Sequence, residues 1–451
     1  MPQLDRLKAK SAELYAHLAR LGLRHWLIAL AVLVGSVVAT PYLDDMLGLQ
    51  HARWWLFQRL SEATPHLLEP RWTNIVLIGD TEHYNPPLNG ESPTNRAYLG
   101  TLIANLAARH VPVIALDFDL HLSGSHAKGT RGDYGELDPR IEAQTRALMR
   151  AIVVAAEDDH RIVLANTVWY GRTRGYSLMP SAYQLYGICT KVDDDGHWSN
   201  PGARDFPISP HAAQNISCGH INFADDMRLL PPRLALDEGG SIDGFSFAIA
   251  SALRPRMVAR IPYSRSYVNF IEPDTMVAQK IIVPAGWIYA NDPRARDYLN
   301  PGAVIIGAQW RTIDIGRGDF VDSLDTPIGP LTGALVHANY AEAILDSRTY
   351  HIFPTWIPRI LEILLGILSA VVFSLTPKIP LKLAIFAALI AGLVLVQWLI
   401  LQLVGMLLES LIPITGLFLH SVLERLFGPH GGHGTVLAAN TKGAPADEYD
   451  A

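Results

Sequence analysis

Apolar residues in this chain gather into long runs, and those runs limit what it can fold into. Residues 383–423 hold only two ionisable side chains, Glu409 and His420, across 41 positions. Residues 26–43, WLIALAVLVGSVVATPYL, contain none apart from Tyr42. Residues 357–375 read IPRILEILLGILSAVVFSL, with Arg359 and Glu362 near one end. A helix crosses a bilayer in about 20 apolar residues, so 383–423 is long enough for two crossings. Four membrane helices are expected, at 26–43, 357–375, 381–404 and 406–427. The turn between the last two falls at Gly405 and Glu409, because a carboxylate at mid-bilayer costs roughly 2.5–3.5 kcal/mol. Pro413 makes the fourth span the weakest of the set.

Lysine and arginine beside the spans set the orientation. Residues 1–25 carry Arg6, Lys8, Lys10, Arg20 and Arg24, whereas Asp44 and Asp45 follow the first run. Lys378 and Lys382 lie in or beside the 376–382 connection, and Arg425 stands near the end of the last run. The 1–25 segment, the 376–382 connection and the 428–451 tail are therefore expected inside, and residues 44–356 outside. The first run begins behind a long polar segment without a clear small-x-small cleavage motif, so it is expected to stay as an anchor. The tail, rich in Gly and Ala, is expected to be disordered. A net charge of −6 offers no basic field, so no nucleic-acid partner is expected.

The two cysteines, Cys189 and Cys218, both fall in the external segment. Outside the cell an even count favours a disulfide. Closing that loop would stabilise the fold by about 3–4 kcal/mol on the chain-entropy argument. Residues 47–62 read as a helix, lying along the membrane through Trp54 and Trp55 or packing on the external domain.

Beyond it, short apolar runs alternate with helical patterns. Strands are expected at 75–79, 111–118, 161–166 and 303–307, with further short apolar runs at 220–223 and 266–270. Helices are expected at 94–109, 138–159 and 333–347. This order predicts an α/β layered domain, a mainly parallel or mixed sheet with helices on both faces. The irregular 170–218 stretch suggests additions at one edge.

Acidic residues end two of these strands: Asp80 follows the first, and Asp117 and Asp119 end the second. Open α/β sheets bind ligands outside the carboxyl ends of their strands, so these aspartates either line one crevice or cap helices and loop amides. The two strands are expected to be neighbours, with Arg96 at the start of the joining helix reaching their carboxylates. That cluster is either a ligand clamp or a structural charge balance.

Several segments together carry a resemblance. IVLIGDT (75–81) is followed by SPTNRAYLGTLIANLAARHVPVIALDFDL (92–120), GHINFADDMRLLP (219–231), PGAVIIGAQW (301–310) and DSLDTPIGPLTGALVHANYAEAILDSR (322–348). Their order and the membrane frame resemble the type-two CHASE domain, an extracellular sensory domain associated with bacterial cyclases and histidine kinases. The most specific piece holds Asp325, Thr326, Pro327, Gly333, His337, Ala338 and Asn339. The candidate site, a ligand-binding or structural crevice, joins the strand-end residues Asp80, Arg96, Asp117 and Asp119 to Asp325, Thr326, His337 and Asn339 of this motif. The sequence departs from the family where Gly79 stands at a usually acidic position and where Ser92, Thr94 and Asn95 flank the Pro93-x-x-Arg96 box.

Family members usually continue into a cytoplasmic catalytic domain, whereas 27 residues, Arg425–Ala451, follow the last run here. No Gly-x-Ser-x-Gly elbow, His-Glu-x-x-His or P-loop is present. The expectation is therefore no enzymatic activity and no cofactor or metal. The chain is expected in the bacterial inner membrane with its main domain periplasmic, as a sensor or adaptor that works through membrane or envelope protein partners. A small-molecule ligand and a homo-oligomer are both compatible with that reading. The alternative is a structural docking subunit of a cell-envelope complex.

Overall fold

The computed structural model describes most of residues 72–120, 139–170, 207–311 and 321–352, the helix at 379–404, residues 406–407, and single turns or positions elsewhere. The chain divides into two compact units, Phe57–Ile352 and the flanking segments Met1–Leu56 with Phe353–Ala451.

The first unit is built on six strands: β1 (Thr73–Gly79), β2 (Val113–Leu116), β3 (Arg161–Asn166), β6 (Ile216–His220), β10 (Ile282–Pro284) and β11 (Ala303–Gln309). They lie in the order β10-β1-β11-β2-β3-β6, and every pairing is parallel. A parallel sheet is covered on both faces, so its central strands read as continuous Val/Ile/Leu runs. TNIVLIG and VIAL are such runs, and β2 is buried throughout.

Alternate side chains on each strand feed two separate layers. Val76, Ile78, Ile114, Leu116, Ile162, Leu164, Val304 and Ile306 share a core with Leu99, Leu102, Ile103 and Leu106 of α2 (Arg96–Ala107). Leu148, Met149 and Ile152 of α3 (Pro139–Glu157) complete that layer, along with α4 (Pro210–Asn215) and α6 (Ala285–Tyr289). Asn95 starts α2 by accepting hydrogen bonds from the N–H groups of Ala97 at 3.0 Å and Tyr98 at 3.3 Å. The opposite face carries α5 (Phe245–Leu253) and α7 (Gly333–Leu345). Those helices sit so close that glycine is required beneath them. A Cβ on Gly219 would lie 2.5 Å from Phe245 Cα, and one on Gly307 would collide with Ala334 Cβ. The three-layer fold with helices on both faces is the expected one.

Details differ from expectation. β11 lies between β1 and β2, so the first two strands are not neighbours. Residues 266–268 leave the main sheet: β9 (Ser266–Val268) pairs antiparallel with β14 (Thr349–Ile352). The short apolar run at 220–223 shares only its first residue with a strand, the end of β6. Besides the β9–β14 pair, the antiparallel additions among the described residues are three hairpins: β4 (Val168–Tyr170) with β5 (Tyr176–Leu178), β7 (Leu234–Ala235) with β8 (Ser241–Ile242), and β12 (Ser323–Thr326) with β13 (Gly329–Thr332). Cys189 and Cys218 form a disulfide with their Cα atoms 5.6 Å apart, tying the 170–218 stretch to edge strand β6.

Of the expected 47–62 helix, residues 55–57 and 59–60 are described and are helical. Phe57 is buried there, edge-on to Tyr350 at 4.9 Å and near Tyr267 at 6.2 Å, so this turn packs on the domain. Trp54 lies outside the described residues.

In the second unit, α8 (Ile379–Val404) contains Pro380–Leu401, a segment long and apolar enough to cross a membrane. The expected 26–43 and 357–375 spans fall largely outside the described residues, as does most of 406–427. Met406 and Leu407 are extended.

Candidate functional site

The carboxyl edge of the sheet contains a topological switch point. After β2 the chain goes to α3 on one face, and after β11 it reaches α7 on the other. Such a divergence opens a crevice where open α/β sheets place their ligands. Asp117 ends β2 at this point, its N–H bonded to Ile306 O at 2.9 Å. Its carboxyl faces α7: a Cβ on Gly307 would lie 3.7 Å from Asp117 Oδ2.

Four further polar groups gather here. His337, on α7, holds Nε2 3.8 Å from Asp117 Oδ1 and Nδ1 3.1 Å from the Ser246 hydroxyl on α5. Phe223 stacks on the His337 ring at 4.7 Å and Phe245 meets it edge-on at 5.0 Å. Asp322 comes from the turn before β12, and its carboxylate reaches the first residue of α7, where a Cβ on Gly333 would collide with its Oδ2. Thr332, the N-cap of α7, is buried, caps nothing with its side chain, and its hydroxyl has no hydrogen-bond partner among the described residues. At the end of β3, Asn166 is fully buried with neither amide atom bonded among the described residues.

Burial governs the charges. It pushes the Asp117 carboxyl well above the ordinary carboxylate range, and the neighbouring Asp322 adds to the shift. Asp322 is raised by burial too, against a lowering contribution from the Gly333 N–H. His337 is driven down to about 3, first by burial and then by nearby His220. The order Ser246–His337–Asp117 has the composition of a hydrolase triad but not its physics. A triad aspartate is ionised and hydrogen-bonded to the histidine, whereas Asp117 favours its neutral form and stands 3.8 Å away. Ser246 is 0% exposed, so no substrate reaches it in this conformation. Among the described residues, no group of three or more His, Cys, Asp or Glu side chains is placed to hold a metal ion.

The residues expected at the site divide. Asp117 and His337 come together. Asp80 stands at the same edge but two strands away from Asp117, where its Oδ1 accepts from the Arg311 N–H at 2.7 Å. Arg96 does not clamp Asp117. Its guanidinium donates to Thr145 Oγ1 at 2.5 Å and Leu120 O at 3.4 Å, in the α2–α3 layer, whereas Asp117 faces α7. Asp119 accepts from the Thr167 hydroxyl. Asp325 is exposed on the β12–β13 hairpin, and Thr326 donates to Gly329 O at 2.5 Å within that hairpin. Asn339 is a core bracket, accepting from the Ile271 N–H at 2.6 Å and donating to Leu335 O at 2.9 Å. Asp322, Thr332, Ser246, Asn166 and His220 were not singled out in the sequence. Asp322, Thr332 and His220 nevertheless fall inside the segments that carried the resemblance.

The CHASE2 domain family matches residues 28–376. No curated protein and no solved structure matches the chain. That match spans the whole α/β unit and more than half of the sequence, so the chain belongs to the CHASE2 domain family, whose domain is an extracellular sensory module.

Proposed function

We propose that this chain is a membrane-anchored periplasmic sensor or adaptor of the bacterial inner membrane that acts through partner proteins. The observation that carries the reading is the path of α7. Its first turn lies at the switch point, beside Asp117 and Asp322. Nine to thirteen residues on, about 14–20 Å away at the rise of an α-helix, it is tied to the opposite edge of the sheet. There the buried Glu342 Oε1 accepts from the N–H groups of Trp72 at 2.8 Å and Thr73 at 2.6 Å and from Thr73 Oγ1 at 2.8 Å. Trp72 Nε1 donates to Asp346 at 2.5 Å. The chain then runs into β14, whose Tyr350 packs on Phe57.

A displacement of α7 therefore bears on both segments that adjoin the apolar runs, the turn after 26–43 and the strand before 357–375. Packed cores transmit such shifts as discrete rearrangements rather than as gradual deformation. A partner packed against the spans would read the change, provided the input prefers one arrangement.

One observation favours the docking alternative: Trp169 is 46% and Tyr170 64% exposed on β4, aromatic surface of the kind that interfaces use. Purification from the native membrane in a mild detergent separates the readings. A sensor coupled through its spans retains a membrane protein, and a Trp169→Ser/Tyr170→Ser variant retains it equally. Loss of a fixed-stoichiometry partner in that variant would instead establish docking.

A further inference from the structure

Asp117 and Asp322 arrive from different parts of the chain, yet their Oδ2 atoms converge on one glycine. A Cβ on Gly333 would collide with Asp322 Oδ2 and lie 3.5 Å from Asp117 Oδ2. No Lys or Arg among the described residues balances the pair. The titratable groups around it are few. From α7 comes His337, and from the end of β6 comes His220, which acts on His337. From α5 there is only the Ser246 hydroxyl, already bonded to His337. β11 offers Gly307 and Gln309, neither of which titrates. Asp119, two residues beyond Asp117, takes the Thr167 hydroxyl.

The two acids differ in freedom. Asp117 is fixed into the sheet through its N–H, and its side chain is only 6% exposed. Asp322 lies on an exposed turn with φ +55, and its carbonyl accepts the Gly333 N–H at 3.2 Å. Thr332, at the position whose hydroxyl normally caps a helix, is 2% exposed and its hydroxyl is unbonded among the described residues.

We propose that Asp117 and Asp322 form a proton-operated latch. With Asp117 protonated, Asp322 stays against the start of α7 and holds residues 321–332 there, and loss of the Asp117 proton drives Asp322 outward. Ionised together, the buried Asp117 and the adjacent Asp322 repel, and the burial of Asp117 leaves that repulsion poorly screened. As pH rises the proton passes to bulk water through the small exposed face of Asp117, and Asp322 is the acid that can move. The first turn of α7 then exchanges the Asp322 contact for the Thr332 hydroxyl. The input at this site is thus the proton itself. Its use as a signal rests on the sensor reading, but the latch does not.

Hydrogen exchange of the full chain in detergent micelles, corrected for intrinsic exchange rates, tests it at about pH 5.5 and about pH 8. Amides of 321–335 should lose protection roughly tenfold or more at the higher pH. Asp322→Asn, which keeps the shape and removes the charge, should show equal protection at both values, and Asp117→Asn should do the same. Unchanged protection in the unaltered chain, or a full pH response surviving in Asp322→Asn, would overturn the latch. A normal latch response in a chain that retains no partner through its spans would instead remove the sensor reading alone.

Discussion

At the switch point, burial holds Asp117 and His337 to opposite proton preferences. His337 is kept unprotonated in the fold, where its value is about 3 against an ordinary 6.5. Between those values the unfolded chain binds the proton that the fold refuses. Its contribution is therefore fully present above pH 6.5 and is lost as pH falls toward about 3. Asp117 has the reverse sign: its folded form binds a proton that the unfolded chain releases, so stability declines as pH rises past 3.8. His337→Gln should flatten the acid limb of a melting-temperature profile taken from neutral pH downward. A variant whose acid limb matches the unaltered chain would show that another group sets it. Among individual residues, Asp117 and His337 were legible because one ends a strand and the other falls in the most specific motif. Asp322 was hidden three residues before Asp325, since a hairpin register decides which of two nearby acids turns inward. The expected reach of Arg96 to Asp117 assumed that β1 and β2 are neighbours, and that assumption fails because β11 lies between them.

Among the elements, α7 carries the argument, and Glu342 is its anchor. One carboxylate oxygen satisfies three donors at the start of β1. Removing the acceptor leaves buried N–H groups without a partner, at roughly 1–3 kcal/mol for each group. Glu342→Ala should therefore destabilise the domain by about 3 kcal/mol or more, and Glu342→Gln, which keeps an acceptor, by about 1–2 kcal/mol. Chemical denaturation in detergent measures both, and equal losses would mean that the side chain's bulk matters more than its bonds. Strands β1, β2, β3 and β11 were readable as runs of β-branched residues. β10 was not, because IVP offers three residues and ends in proline. β6 was not read as a strand because ISCGH has no periodicity, and its place at the edge is set by pairing with β3. Strand order was beyond the sequence altogether: β11 enters between β1 and β2 from nearly two hundred residues downstream, and local pattern carries no record of such a pairing.

For the whole molecule, one unit is a CHASE2 domain and the flanking unit contains at least one helix fit to cross a membrane. Hydropathy alone pointed to four spans, because apolar length is what a bilayer demands. The described residues supply α8 as the one that meets that demand as a helix. The account depends most on the α/β unit lying outside the cell while the 376–382 connection lies inside. Single cysteines at Val277, which is 59% exposed on the domain, and at Lys378 test that arrangement with a membrane-impermeant maleimide. In intact spheroplasts Val277→Cys should be labelled as fully as after lysis, and Lys378→Cys should be labelled only after lysis. Labelling of Lys378→Cys in intact cells, with Val277→Cys protected until lysis, would contradict the account.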